Sequence, residues 1–285
     1  MKESLNENLN EHVKIVTLND YQLAYEVYGS GKTTILCFHG NSRSAEDFKF
    51  LERSDRKIIS IHLFLHQYST FDMKRIDDGS VQLKHVEKLL RNILKNEKVN
   101  DFHWIAYSQG GLFTLSLFSL FAEQVKSLYL IAPDGMNNDS FYSRSPHRKW
   151  ANILFKRWTE KPKELMRIVK FLIKVRILDP KMLEFMKFYT DDPKLFKMAY
   201  NTWKGFRNIR PDYELIKSTF EKYPKIRFHL FIGEFDRIIT VKTSKMFLKN
   251  IGKSEALVTI PYGHNVFKPE IEKELYYHLK FEENN

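Results

Sequence analysis

The stretch that most restricts how this chain can fold runs from Phe102 to Phe118. A short run of large, β-favouring side chains, Phe102-His103-Trp104-Ile105, meets an apolar segment that reads as a buried helix, Leu112 to Phe118. Only Ala106-Tyr107-Ser108-Gln109-Gly110-Gly111 lies between them. The pattern is strand, sharp turn, helix. A serine at the apex of such a turn must hold a strained backbone, and strand and helix can close around it only if its neighbours are small. Gly110 meets that need and Ala106 nearly does. A helix start capped by Ser108 is the plainer alternative, and the rest of the chain has to separate the two.

On the N-terminal side, residues 13–18 and 23–28 read as a hairpin turning at Asn19-Asp20. Residues 34–38 form a continuous apolar run, the pattern of a strand buried on both faces of a parallel sheet, and end in His39-Gly40-Asn41-Ser42. Residues 57–65 read as a further strand and 80–95 as an amphipathic helix with Leu83, Val86, Leu90 and Ile93 on one stripe. Residues 127–131 give another strand, closing on Ala132-Pro133-Asp134-Gly135. This alternation of strand and helix implies a parallel sheet with right-handed crossovers. It then stops for nearly ninety residues, in a stretch broken by Pro162, Pro180, Pro193 and Pro211 that reads as four or five short amphipathic helices. The sheet resumes at 226–232, followed by Gly233-Glu234-Phe235-Asp236, a helix at 240–249, a strand at 256–260, Pro261-Tyr262-Gly263-His264, and a last helix at 268–281.

The turn at Ser108 resembles the nucleophile elbow, G-x-S-x-G, of the α/β-hydrolases, departing from it where Ala106 replaces the first glycine. Gly233-x-x-Asp236, followed 28 residues later by His264 in a Gly-His pair, matches the closing half of that family's pattern. The resemblance implies a mostly parallel central sheet of about eight strands flanked by helices. It also implies a core of residues 1–136 and 225–285 and an all-helical lid, residues 137–224, inserted after the sixth strand. Ser108, Asp236 and His264 then become a catalytic triad in the family's chain order, each just past a strand. The His39-Gly40 pair opens the loop that supplies one oxyanion-hole N–H, here that of Asn41, with Gln109 supplying the other. Asp236 would otherwise cap the helix after it, and His264 would be an ordinary loop histidine. Asp134 is the competing acid. Where the family often has an Asp and a glycine-rich turn, this chain has His62-Leu63-Phe64-Leu65-His66-Gln67. No carboxylate or third histidine stands at metal-binding spacing from His62 and His66, which favours a structural or substrate-rim role.

The chemistry so implied is serine hydrolysis of a carboxylic ester or thioester through an acyl-enzyme, with no cofactor and no metal. Hydrolytic carbon–carbon cleavage by the same three residues and a ligand-binding receptor on the same fold stay open. Dehalogenase and epoxide hydrolase chemistry would need an aspartate at Ser108. A single cysteine, Cys37, excludes an intramolecular disulfide and a cysteine-built metal site. The first ten residues lack the order of a secretory signal and no stretch approaches a membrane span, so the expectation is a soluble, cytoplasmic protein. The net charge of +11 is concentrated: residues 137–224 carry 20 Lys and Arg against 10 Asp and Glu. A solvated outer helical face accounts for that excess, with weak contact to an anionic surface left open and no nucleic-acid partner expected. The expected partner is a small acyl or aromatic ester, held by bulky apolar lid residues.

Overall fold

The computed structural model describes residues 13–72, 74, 80–180 and 182–279. They fall into two compact units. One contains the residues up to 71, Gln82–Asn138 and the residues from 209 onward; the other contains Asp72–Val81 and Asp139–Asn208.

In chain order, β1 (Val13–Leu18) and β2 (Tyr21–Tyr28) form the expected hairpin, with Asn19 in the left-handed region that its short polar side chain tolerates. Next come β3 (Thr33–Phe38), β4 (Arg56–Ile61), α1 (Leu83–Asn96), β5 (Phe102–Tyr107), α2 (Gln109–Phe121) and β6 (Val125–Ile131). The second unit follows, with α3 (Lys149–Glu160), α4 (Pro162–Lys174), α5 (Met182–Thr190) and α6 (Pro193–Gly205). The first unit resumes with α7 (Tyr213–Lys222), β7 (Arg227–Gly233), α8 (Val241–Asn250), β8 (Leu257–Ile260) and α9 (Pro269–His278).

The eight strands make one sheet in the order β1-β2-β4-β3-β5-β6-β7-β8. Only the β1–β2 and β2–β4 pairs are antiparallel; every pair from β4 to β8 is parallel. The chain leaves β3 for β4 on one side and returns through α1 to β5 on the other, so strand order reverses at β3. The crevice beyond the carboxyl ends of β3 and β5 is where open sheets of this type bind ligands. Both strands are almost wholly buried, as their large apolar side chains predict, with His103 of β5 a polar exception. Trp104 of β5 meets the rings of Phe38, Phe102 and Phe121 edge-on. The helix α2, apolar on all sides, is buried along most of its length.

The elements α1 and β4 differ in extent from the sequence expectation. The helix α1 begins at Leu83 rather than at 80, because the Val81 N–H is drawn to the Gly205 carbonyl at 2.9 Å. The strand β4 ends at Ile61 rather than at 65, because the chain turns through Leu65 (φ 67°) and Gln67 (φ 43°) to let Leu65 N–H reach the Ser69 carbonyl. The helix α7 packs against α2 within the first unit, with Phe118 and Phe220 ring centroids 4.8 Å apart. In the second unit, Trp158, Leu165, Val169 and Phe196 form a core of their own, supported by Ile173 and Leu183. A second cluster there joins Ala151, Tyr200 and Trp203.

Candidate active site

Ser108 occupies the apex between β5 and α2 with φ 47° and ψ −116°, and its side chain makes no capping hydrogen bond. The helix-cap alternative is therefore not what the residue does. Backbone contacts pin this strained geometry: the Ser108 N–H donates to Ile131 O at 3.0 Å, and its carbonyl accepts from Gly111 N and Asp134 N, both at 2.8 Å. A non-glycine φ of this kind costs on the order of 1–3 kcal/mol and persists only where neighbours over-determine it. The close fit demands small residues. A Cβ on Gly110 would lie 2.4 Å from the Phe38 carbonyl oxygen, closer than any real contact.

The other two expected residues arrive from β7 and β8. Backbone bonds from Glu234 N to Ile260 O (2.8 Å) and from Phe235 N to Tyr262 O (3.0 Å) zip the two strand ends together and carry the loop holding His264 beside Asp236. The His264 Nδ1 stands 2.7 Å from Asp236 Oδ2, and its Nε2 stands 3.2 Å from Ser108 Oγ. Asp236 is buried and its other oxygen accepts from the N–H groups of Ile238 and Ile239 at 2.8 Å each, so the carboxylate cannot rotate freely. It does not cap α8; Thr240 does, accepting from Thr243 N. Tyr107 fixes His264 from the far side, its hydroxyl donating to the His264 carbonyl at 2.9 Å while Phe267 packs edge-on against the Tyr107 ring.

Asp134 is close by but turned elsewhere. Its Oδ1 accepts from Gly135 N at 2.8 Å, and burial pushes its carboxyl above the usual range, partly offset by that bond and by His264.

The loop after β3 lies directly against the elbow. A Cβ on Gly40 would stand 2.7 Å from the Tyr107 ring and 3.1 Å from Ser108 Cβ, so only glycine lets the loop pass here. Asn41 follows it. Gln109 is the first residue of α2, where an N–H has no acceptor within the helix. These are the two N–H groups that the sequence resemblance singled out.

Sequence reasoning missed what holds that loop. His39 is fully buried; its Nε2 accepts from Leu63 N at 3.0 Å, which leaves Nδ1 as the protonated nitrogen, donating to the Gly40 carbonyl at 2.7 Å. His66 does the same from the other side, with Nε2 accepting from Ser42 N at 3.0 Å and Nδ1 donating to Phe64 O. Both imidazoles must be neutral to accept. Burial pushes His39 well below the ordinary histidine range and His66 down to about 4. Their rings meet edge-on at 4.9 Å. His62 pairs with Glu26, Nε2 to Oε1 at 2.8 Å, and the Tyr28 hydroxyl donates to the same carboxylate. His39 and His66 thus brace the loop by joining it to residues 24 positions away, and His62 joins Glu26 across 36, relations no local spacing reveals.

The sequence model of the family described as alpha/beta hydrolase fold matches residues 33–270. No curated protein matches. Among solved structures, MGS-M2, an alpha/beta hydrolase enzyme from a Medee basin deep-sea metagenome library, is similar with a TM-score of 0.66 at 14% identity, covering 93% of this chain and 95% of that one. A thermophilic esterase from Thermogutta terrifontis is similar with a TM-score of 0.61 at 16% identity, covering 91% and 92%. The thioesterase domain from the curacin biosynthetic pathway is similar with a TM-score of 0.59 at 11% identity, covering 93% and 97%. At these identities the likeness is one of fold.

Proposed function

Because the chain belongs to the α/β-hydrolase fold family, we propose that it is a serine hydrolase that cleaves a carboxylic ester or thioester through an acyl-enzyme. One observation carries this reading: the Ser108 hydroxyl, His264 imidazole and Asp236 carboxylate stand in line at 3.2 and 2.7 Å. A serine hydroxyl is a weak nucleophile near neutral pH and needs a base within reach whose tautomer a third group fixes. Asp236 holding Nδ1–H leaves Nε2 free to act as that base.

The steps follow from those distances. Ser108 Oγ attacks the carbonyl carbon as its proton passes to His264 Nε2, and Asp236 stabilises the imidazolium. The N–H groups of Asn41 and Gln109 receive the oxyanion; loss of one such donor typically costs a hundredfold or more. The carbon–oxygen or carbon–sulfur bond then breaks, the leaving group taking the proton from His264. A water molecule, deprotonated in turn by His264, releases the acid. The fold likeness to an esterase and to a thioesterase domain supports the substrate class. A cap built from residues 137–224 that selects the acyl group belongs to the same proposal.

Hydrolysis of short p-nitrophenyl esters, with covalent labelling by a fluorophosphonate, tests it. Ser108→Ala should abolish labelling and lower kcat by roughly 10⁴-fold or more. Wild-type protein that binds esters without turnover or labelling would favour a receptor instead. In a panel of acyl lengths, esters beside thioesters, each buried methylene should raise kcat/KM about fourfold until the site is full.

A further inference from the structure

The helix α4 carries two apolar stripes where its fold requires one. Leu165 and Val169 point into the core of the second unit, with Ile173 packed beside them. Ile168, Phe171 and Val175 lie on a different stripe, at helical positions i, i+3 and i+7, and are 41%, 61% and 44% exposed. Ile177, just beyond the helix, is 68% exposed. Single exposed hydrophobics are ordinary, but a contiguous row of this kind marks a contact surface.

The charges beside it narrow the partner. Lys163, Arg167, Lys170 and Lys174 follow each other at spacings of four, three and four, forming an exposed row flanking the apolar stripe. Among the described residues none of these four forms an ion pair. The one acidic residue of the helix, Glu164, is already held by Arg157, whose Nε and Nη2 donate to it at 2.8 and 3.0 Å. A second copy of the chain would bring like charge against like. Nucleic acid would satisfy the cations and leave the apolar row in water.

We propose that α4 is a peripheral membrane-docking surface that seats Ile168, Phe171, Val175 and Ile177 among the acyl chains of an anionic bilayer while the adjacent cations meet its headgroup phosphates. A helix with one apolar and one cationic stripe lies in the plane of such an interface. No helix among the described residues is long and apolar enough to cross the bilayer, so the contact is at its surface. The inference is independent of the hydrolase reading: it would stand for a catalytically inert protein.

Cosedimentation of the full chain with phosphatidylcholine vesicles, with and without ~30 mol% phosphatidylserine, is the test. Binding should require phosphatidylserine and weaken steeply as salt rises from ~0.05 to ~0.5 M. Phe171→Ser should weaken it roughly tenfold or more by removing buried apolar surface. Lys170→Glu with Lys174→Glu should weaken it by at least about twenty-five-fold, at about fivefold per cation lost. Both variants should keep the wild-type thermal midpoint within a few degrees; the charge variant stands as the test if Phe171→Ser fails to fold. Equal uptake by neutral vesicles, no uptake at all, or uptake indifferent to both variants overturns the proposal. So does a wild-type dimer by sedimentation velocity that Phe171→Ser dissociates while vesicles bind neither protein.

Discussion

Asp236 and Asp134 each stand just past a strand, and either could in principle orient the same imidazole. Geometry separates them. Asp236 presents Oδ2 to His264 at 2.7 Å with its other oxygen locked by two N–H donors, while Asp134 spends an oxygen on Gly135 N and is pushed toward its neutral form by burial. Under the proposed mechanism, Asp236→Asn should lower kcat by about 10³–10⁴-fold by mis-setting the tautomer. Asp134→Asn should change it only a few-fold. Steady-state kinetics on one soluble ester decides between them, and equal losses would mean that the acid has been misassigned.

At the scale of elements, tight turns are where this chain pays for its side chains. Leu65 and Gln67 hold φ of 67° and 43° in the turn after β4, a region that costs an L-residue roughly 1–2 kcal/mol. Gln67 is exposed. Gln67→Gly should therefore raise stability by roughly 1 kcal/mol, net of the greater chain entropy of glycine in the unfolded state. Urea denaturation reads this directly, and an unchanged or lowered midpoint would show that the turn is not strained. The elbow works the opposite way: its strain is retained at Ser108, where Ile131, Gly111 and Asp134 hold the backbone in place.

Across the whole molecule, burial of neutral histidines makes stability depend on pH in a stated direction. Burial lowers His66 and His103 from an ordinary 6.5 to about 4, and lowers His39 well below its ordinary value. Between those limits the unfolded chain binds more protons than the folded one. Stability is therefore fully present above pH 6.5 and lost as pH falls toward 4. For His66 the loss approaches about 3 kcal/mol, a large share of the roughly 5–15 kcal/mol typical of a folded chain. Thermal midpoints should drop steeply over this window, before most carboxylates titrate. His103, whose Nδ1 meets Ser127 Oγ at 2.6 Å, lies at the opposite end of β5 from Ser108, and His103→Gln should flatten the curve. A midpoint constant from pH 7 to pH 5 would contradict the account.

The same scales divide what could be read before the fold was known. Strand–helix alternation, the small residues around Ser108 and the chain order Ser108, Asp236, His264 are local or sequential properties, and side-chain periodicity and backbone sterics express them directly in the sequence. The pairing of His66 with Ser42 and of His62 with Glu26, the packing of α7 against α2 and the second apolar stripe of α4 are not. Each depends on which distant surface arrives beside a residue and which face remains uncovered once the core has closed. Those outcomes are settled by the packing of many weak contacts at once, and no short window of sequence contains them.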